Sequence, residues 1–333
     1  MNPKQRFLVA LTLGAAICLA AAGCGRSGQP AAAGPDKPAA TAPTTSAAET
    51  YLSFEDQTGR KVVLNRKPER IVVLNTELLQ LFEQVGGTMV GRATAPGVPV
   101  PERAKAAEEV GLISQVNMER VLGLKPDLVI GEPLFHTQLA PTMEQAGIPF
   151  AILTIKTMDD MRDNALLLGD IVGQADAAAA GVSRMNERIK QITDRVPDTK
   201  PTYALLTFMM NTVSLQKGSS IALDVADRLN MRNVAGSVES GLATESVPFS
   251  MEKLVELDPD FLFFVVHGTD EEGRQALRSN LQSNGAWTAL RAVKADKYRF
   301  IPSELFVNNP GLELDRSFAY LARIVYPERF GAP

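Results

Sequence analysis

Two stretches of this chain repeat each other without a gap, and that repeat limits the possible folds more than any other feature. Asn117–Ile130 reads NMERVLGLKPDLVI and Ser250–Phe263 reads SMEKLVELDPDFLF, at a constant offset of 133 residues. Each copy opens with a residue suited to cap a helix, Asn117 or Ser250, because a short polar side chain can accept a hydrogen bond from the first-turn amides. Met, Glu and a basic residue follow, then a short apolar-periodic helix, Pro-Asp and a continuous apolar strand. Proline ends the helix because the residue before it is pushed out of α space. The uninterrupted apolar runs Leu128–Ile130 and Phe261–Val266 suit strands of a parallel sheet covered on both faces. Two copies this far apart specify two similar α/β lobes rather than a solenoid, which stacks many short repeats.

Other segments fill in the same scheme. Arg70–Asn75 (RIVVLN) reads as a buried strand feeding a helix from Thr76 that Gly86-Gly87 ends; Thr88–Arg92 and Pro149–Thr154 read as further strands of the first lobe. Thr202–Met210 opens the second lobe, Ile221–Leu229 is helical, Tyr298–Ile301 is a late strand and Leu312–Tyr326 the closing helix. Between the lobes, Met158–Val196 carries an apolar stripe of Leu166, Leu167, Ile171, Met185, Ile189 and Ile192. Thr157 or Asp159 can cap its start and Pro197 stops it, while Gly169, Gly173 and Gly181 weaken it and leave room for a kink or break. The expected organisation is a first lobe over 51–157, one connecting helix over 158–196 that limits hinge motion, and a second lobe over 197–333.

The N-terminus reads as an export signal over residues 1–23. Lys4 and Arg6 precede an apolar run from Phe7 to Ala22, which breaks at Gly23-Cys24. That run is short for crossing a bilayer, which needs about 20 apolar residues. Ala21-Ala22-Gly23-Cys24 resembles a bacterial lipobox, in which the peptidase cuts before a cysteine that carries a diacylglycerol; Ala21 stands where Leu is usual. The chain has two cysteines and Cys18 leaves with the signal, so Cys24 has no disulfide partner even in an oxidising compartment. Residues 24–50 after it hold no apolar side chain larger than Ala or Pro and read as a disordered tether. Formal charge is −4, or −6 once Lys4 and Arg6 are lost, which argues against nucleic acid as a partner.

Taken in order, FEDQTGRKVVLNRKPERIVVLN (Phe54–Asn75), VNMERVLGLKPDLVI (Val116–Ile130), the His267-Gly268 step, NGAWTALRAVKADKYRF (Asn284–Phe300), Asn309–Leu314 and Ile324–Glu328 resemble the helical-backbone class of ABC solute-binding proteins, which carry siderophores, haem or cobalamin. The resemblance spans about Phe54 to Tyr326. It implies an α/β fold of two Rossmann-like lobes with central parallel sheets joined by one long helix, and a ligand cleft between the lobes. It further implies a monomer without resident cofactor, anchored outside the cell membrane, that docks on a permease dimer with a cytoplasmic ATPase. In that class a glutamate on each lobe pairs with permease arginines; Glu119 and Glu252 occupy the matching positions. Each is also favoured where it stands by the helix dipole, whose first turn attracts a carboxylate by about 0.3–1 kcal/mol.

Ligand contacts are expected from loops after strand C-termini: Asn75, Thr76 and Glu77, Arg92, Gly131–His136, Lys156, Met209, Met210 and Asn211, His267, and Glu304–Asn308, which includes Phe306. Arg92 is the favoured charged contact for an anionic ferric siderophore, since its fixed fork holds oxygen arrays. Lys156 reads more naturally as a solvated helix-start residue and His136 as an exposed loop histidine. In haem-binding members of the class a histidine in the His-Gly step ligates iron, which makes His267 the one candidate metal ligand should haem be bound. Those members also use a methionine in the loop that is here Gly111–Val116, which has none. The expected ligand order is therefore ferric siderophore, then haem, then cobalamin. Enzyme readings find no support: no G-x-G-x-x-G follows a first strand, and no Walker loop or nucleophile elbow occurs.

Overall fold

Asn117 and Ser250 do cap their helices. Asn117 Oδ1 accepts the amide of Arg120 at 3.0 Å and Ser250 Oγ that of Lys253 at 3.3 Å. The computed structural model describes residues 50–209, 212–238, 246–308 and 310–332; the export signal, Cys24, the tether, Met210 and Asn211 lie outside them. Both helices of the repeat end on a left-handed residue immediately before the proline, Lys125 at φ 49° and Asp258 at φ 32°.

In the first lobe, β1 (Leu52–Glu55) and β2 (Lys61–Leu64) form an antiparallel hairpin. There follow β3 (Ile71–Val73), α1 (Leu79–Gln84), β4 (Gly91–Thr94), β5 (Glu108–Leu112) and β6 (Gln115–Val116). Then come α2 (Met118–Gly123), β7 (Leu128–Gly131), α3 (Pro133–His136), α4 (Ala140–Gln145) and β8 (Phe150–Ile152). The sheet order is β6-β5-β4-β3-β7-β8, parallel throughout except for β6. The chain winds outward from β3 and returns to β7 on its other side, so a crevice opens beyond the ends of β3 and β7. Side-chain alternation along β3 explains its unbroken apolar run: Ile71 and Val73 enter one core cluster, Val72 and Leu74 another.

The connection departs from expectation. Two helices, α5 (Met158–Ile171) and α6 (Ala175–Thr193), replace the single helix over 158–196. The break falls at Gly173, whose φ of 68° a side chain would resist. The two helices fold back on each other so closely that a Cβ on Gly169 would lie 2.4 Å from that of Ala178. Thr157 and Asp160 form a capping box at the start of α5. The beginning of α5 is tied to the second lobe, where Asp224 accepts the Met158 amide at 2.9 Å and Arg228 meets Asp159 at 3.1 Å. Its end is tied to the first lobe by Tyr51, which donates to the Asp170 carbonyl at 2.8 Å. α6, about 28 Å long, returns to the second lobe, where Arg188 pairs with Asp315 at 2.9 Å.

The second lobe comprises β9 (Thr202–Met209), β10 (Thr212–Gln216), α7 (Ile221–Arg228), β11 (Arg232–Asn233), β12 (Ser246–Pro248), α8 (Met251–Leu257) and β13 (Phe261–His267). It continues with α9 (Asp270–Leu277), α10 (Arg291–Lys294), β14 (Tyr298–Phe300), α11 (Ser303–Phe306) and α12 (Asp315–Val325). Strand order is β12-β10-β9-β13-β14. β11 pairs parallel with the start of β9, and β9, β13 and β14 run parallel, while β10 and β12 are antiparallel additions at one edge of an otherwise parallel six-stranded sheet. β13 is covered on both faces: Phe261, Phe263 and Val265 join one core, Leu262, Phe264 and Val266 another. Among the described residues no helix is long and apolar enough to cross a membrane.

Candidate functional site

The C-terminal ends of β3, β4 and β7 in the first lobe and of β9, β13 and β14 in the second border one cleft. It holds two adjoining chambers of about 360 and 490 Å³. Six residues line both chambers and so mark their junction: Glu77, Glu132 and Leu134 from the first lobe, and Met209, His267 and Val307 from the second.

Asn75 shapes the floor without reaching the cleft. It is buried, its Nδ2 donating to the Leu153 carbonyl at 2.7 Å and its Oδ1 accepting the Glu77 amide at 2.9 Å. Those bonds tie the end of β3 to that of β8 and start the turn that presents Thr76 and Glu77. Asn75 is thus a positioning residue and not the ligand contact expected from sequence, whereas Thr76 lines the first chamber. Burial pushes the Glu77 carboxyl up to about 7, reinforced by the charge of Glu132 and opposed by that of Lys156, which lines the second chamber.

Glu132 caps α3, its carboxylate accepting the amides of Leu134, at 3.0 Å, and of Phe135. That cap turns Leu134 outward into the cleft, 71% exposed, the most exposed of the large apolar side chains among the described residues. His136 sits behind, corrected from an exposed loop histidine to a buried one. Its Nδ1 accepts the Glu132 amide at 3.1 Å. Burial pushes its pKa down to about 4, partly offset by the backbone of Ile113, so the ring is neutral near pH 7.

His267 ends β13 and is exposed within the cleft, where surrounding protein pulls its pKa below the ordinary histidine value. Met209 lies beside it in the sheet register and is 39% exposed. Phe306 contributes to the second chamber while its ring packs edge-on to Tyr320, centroids 6.0 Å apart. Arg92 requires correction. β4 runs on to Thr94, so Arg92 is a mid-strand residue whose side chain is buried away from the cleft. Its Nε donates to the Ala104 carbonyl at 2.9 Å and its Nη1 lies 3.9 Å from Glu109. No arginine lines either chamber among the described residues.

The lobes touch across the first chamber. Gly97, after β4, has φ 74°, and a Cβ there would fall 2.3 Å from the carbonyl oxygen of Gly268, after β13. Behind the cleft Gln84 of α1 bridges the lobes, donating to Pro310 O at 3.0 Å and accepting from the Leu312 amide at 2.6 Å. Glu119 and Glu252 stand exposed in the first turns of α2 and α8 and line neither chamber.

Residues 71–305 match the family model described as periplasmic binding protein, and the chain belongs to that family. The curated relatives that the chain matches are substrate-binding proteins of transporters rather than enzymes. The chain is 27% identical over 252 residues to a cobalamin-binding protein of Halobacterium salinarum, covering 74% of this chain and 66% of that protein. It is 23% identical over 257 residues to a probable siderophore-binding lipoprotein, YfiY, of Bacillus subtilis, covering 74% of this chain and 78% of the other. Its fold matches that of Staphylococcus aureus IsdE complexed with heme, with a TM-score of 0.68 at 20% identity over 77% of this chain and 98% of the other.

Proposed function

We propose that this chain is the extracytoplasmic substrate-binding component of an ABC importer, and that it carries a ferric siderophore of low negative charge. The observation that carries the ligand reading is the charge of the cleft. Glu77 and Glu132 stand at the junction of the chambers, and Lys156 is the one basic residue among the described lining of the two. A strongly anionic chelate would face the Glu132 carboxylate and a Glu77 that is only partly ionised near pH 7, with no arginine fork to hold it. A hydroxamate-type chelate, neutral or cationic and rich in carbonyl oxygens, avoids that repulsion. Cys24 would carry the lipid that holds the protein at the membrane, and Glu119 and Glu252 would dock on the permease.

A second reading is haem, favoured by His267, whose exposed ring at the chamber junction is a suitable axial donor. A corrinoid, uncharged at its amide periphery, suits the same cleft charge and comes third. Calorimetric titration with ferric desferrioxamine B, a ferric tris-catecholate, haem and cyanocobalamin separates these readings. The hydroxamate complex is expected to bind most tightly and the tris-catecholate weakly. Preference for the tris-catecholate overturns the charge argument; a haem complex whose Soret band is lost in His267→Ala establishes the second reading.

A further inference from the structure

Two residues that line this cleft each carry a buried polar side-chain atom without a hydrogen-bond partner. Thr207, in β9, is 6% exposed and its Oγ1 makes no hydrogen bond; Asn308, after α11, is 9% exposed and its Nδ2 makes none. Folded proteins leave few such atoms, because a buried donor or acceptor without a partner costs about 1–3 kcal/mol. Among the described residues, the other buried atoms of this kind, on Arg92, His136 and Asn186, line neither chamber, and Asp315 is paired with Arg188. Thr207 and Asn308 do, each in a different one: Asn308 faces the first and Thr207 the second.

Their surroundings place both beside the junction. Thr207 lies two residues before Met209 on the same face of β9, opposite Ser214 of β10. Gln216 and Ser246, also opposite each other, extend this hydroxyl and amide surface along the wall of the second chamber. Asn308 follows Val307 and lines the first chamber, and its own backbone amide is spent on the Ser303 carbonyl at 2.8 Å, which fixes the backbone there.

We propose that Thr207 and Asn308 are hydrogen-bonding contacts of the ligand, one in each chamber, and that the ligand is a single molecule spanning both chambers with an acceptor oxygen presented to Asn308. This rests on the reading of the cleft as a chelate site; it adds Thr207, assigns Asn308 a donor role within the expected span 304–308, and makes the two set the ligand's length and polarity. Apolar Leu134 and Met209 flank the middle of such a molecule, while the polar ends meet Asn308 and the Thr207–Ser214 wall.

The test uses the full-length protein in detergent, with the near-isosteric variants Thr207→Val, Asn308→Leu and the double variant. Each is measured for melting temperature without ligand and for affinity towards ferric desferrioxamine B, haem and cyanocobalamin. Each single change is expected to weaken whichever probe the wild type binds by about tenfold, and the pair by about a hundredfold. The unliganded melting temperature is expected to hold or rise, because an unpartnered polar atom is removed. Unchanged affinity in a folded double variant overturns the proposal, as does a lowered melting temperature, which would show that these atoms serve the fold. If the wild type takes none of the three probes, the chelate reading itself fails, and the melting temperatures alone decide whether these two atoms are reserved for a ligand.

Discussion

Asp127 and Asp260 perform the same operation in the two lobes: each lays its carboxylate over the amides at the start of the neighbouring parallel strand. Asp127 accepts the amides of Glu69 and Arg70 at 2.9 and 2.8 Å ahead of β3, and Asp260 accepts the amide and hydroxyl of Thr202 at 2.9 and 2.7 Å at the start of β9. Burial opposes ionisation of Asp260, but the Thr202 bonds and the charges of Arg291 and Lys297 outweigh it and lower its pKa. Its contribution is therefore present above the ordinary aspartate range and is lost as pH falls through the lowered pKa. Replacing either aspartate with Ala is expected to destabilise the protein by about 1–3 kcal/mol in urea unfolding at pH 7. For Asp260 the difference should shrink in acid. An equal deficit at pH 3 and pH 7 would contradict this account.

Glu77 gives a pH dependence of the opposite sign. Its pKa is raised to about 7, so between the ordinary glutamate value and that point the folded state holds a proton that the unfolded chain has released. Stability then declines as pH rises from about 5 to 8. Glu77→Gln should flatten the profile and be the more stable form at pH 8, by about 1–3 kcal/mol. Parallel thermal profiles for the two proteins would refute the burial-raised pKa of Glu77.

The Gly97–Gly268 contact predicts a kinetic phenotype. Asn tolerates positive φ, yet its Cβ at position 97 would still meet the Gly268 carbonyl oxygen. Gly97→Asn is expected to wedge the mouth and speed ligand release about tenfold in stopped-flow measurements. Gly147→Asn is the control, since φ there is 67° and nothing lies within 4 Å of the added Cβ. Equal release rates in both variants would show that the contact does not hold the cleft shut.

Glu119 and Glu252, exposed and outside both chambers, are expected to separate binding from delivery. Glu119→Arg with Glu252→Arg should leave ligand affinity and melting temperature near wild type and cut cellular uptake more than tenfold, because a desolvated charge pair turned repulsive costs several kcal/mol. Normal uptake by the double variant would remove both residues from the docking surface.

Cys24→Ser tests the anchor. The protein should leave the membrane fraction for the soluble one, since acyl chains proposed on Cys24 would supply the membrane affinity at about 0.8 kcal/mol per buried CH₂. Retention after a salt wash would show that residues 7–22 hold it instead.

The repeat made the two-lobe architecture legible, because an N-cap, a proline and an apolar run each act locally. The residues facing the cleft depended on where strands stop, and that is set by pairing with neighbours. β4 was read as ending at Arg92, but pairing with β5 carries it to Thr94 and turns Arg92 towards Ala104. Asn75 sits where a cleft amide would, but its bonds to Leu153 and Glu77, which no local pattern encodes, turn it into the floor. Thr207 was hidden in the apolar run TYALLTFMM, where only the missing partner distinguishes it from a core residue. In the connection, Gly173 was one of three glycines that could break the helix, and the close approach of Gly169 to Ala178 selects it.

One apolar core takes in Val62 and Phe82 of the first lobe, Leu168 and Met185 of the α5–α6 hairpin, and Phe263 and Tyr326 of the second. A molecule built this way behaves like a sprung clip whose stiffness lies along its closed edge. Widening the mouth bends a close-packed interior of low compressibility, so the resisting force climbs with every degree of gape. Size discrimination then falls to the side chains where the two chambers meet. Leu134 and Met209 line both chambers there and are the side chains that a bulkier cargo has to displace.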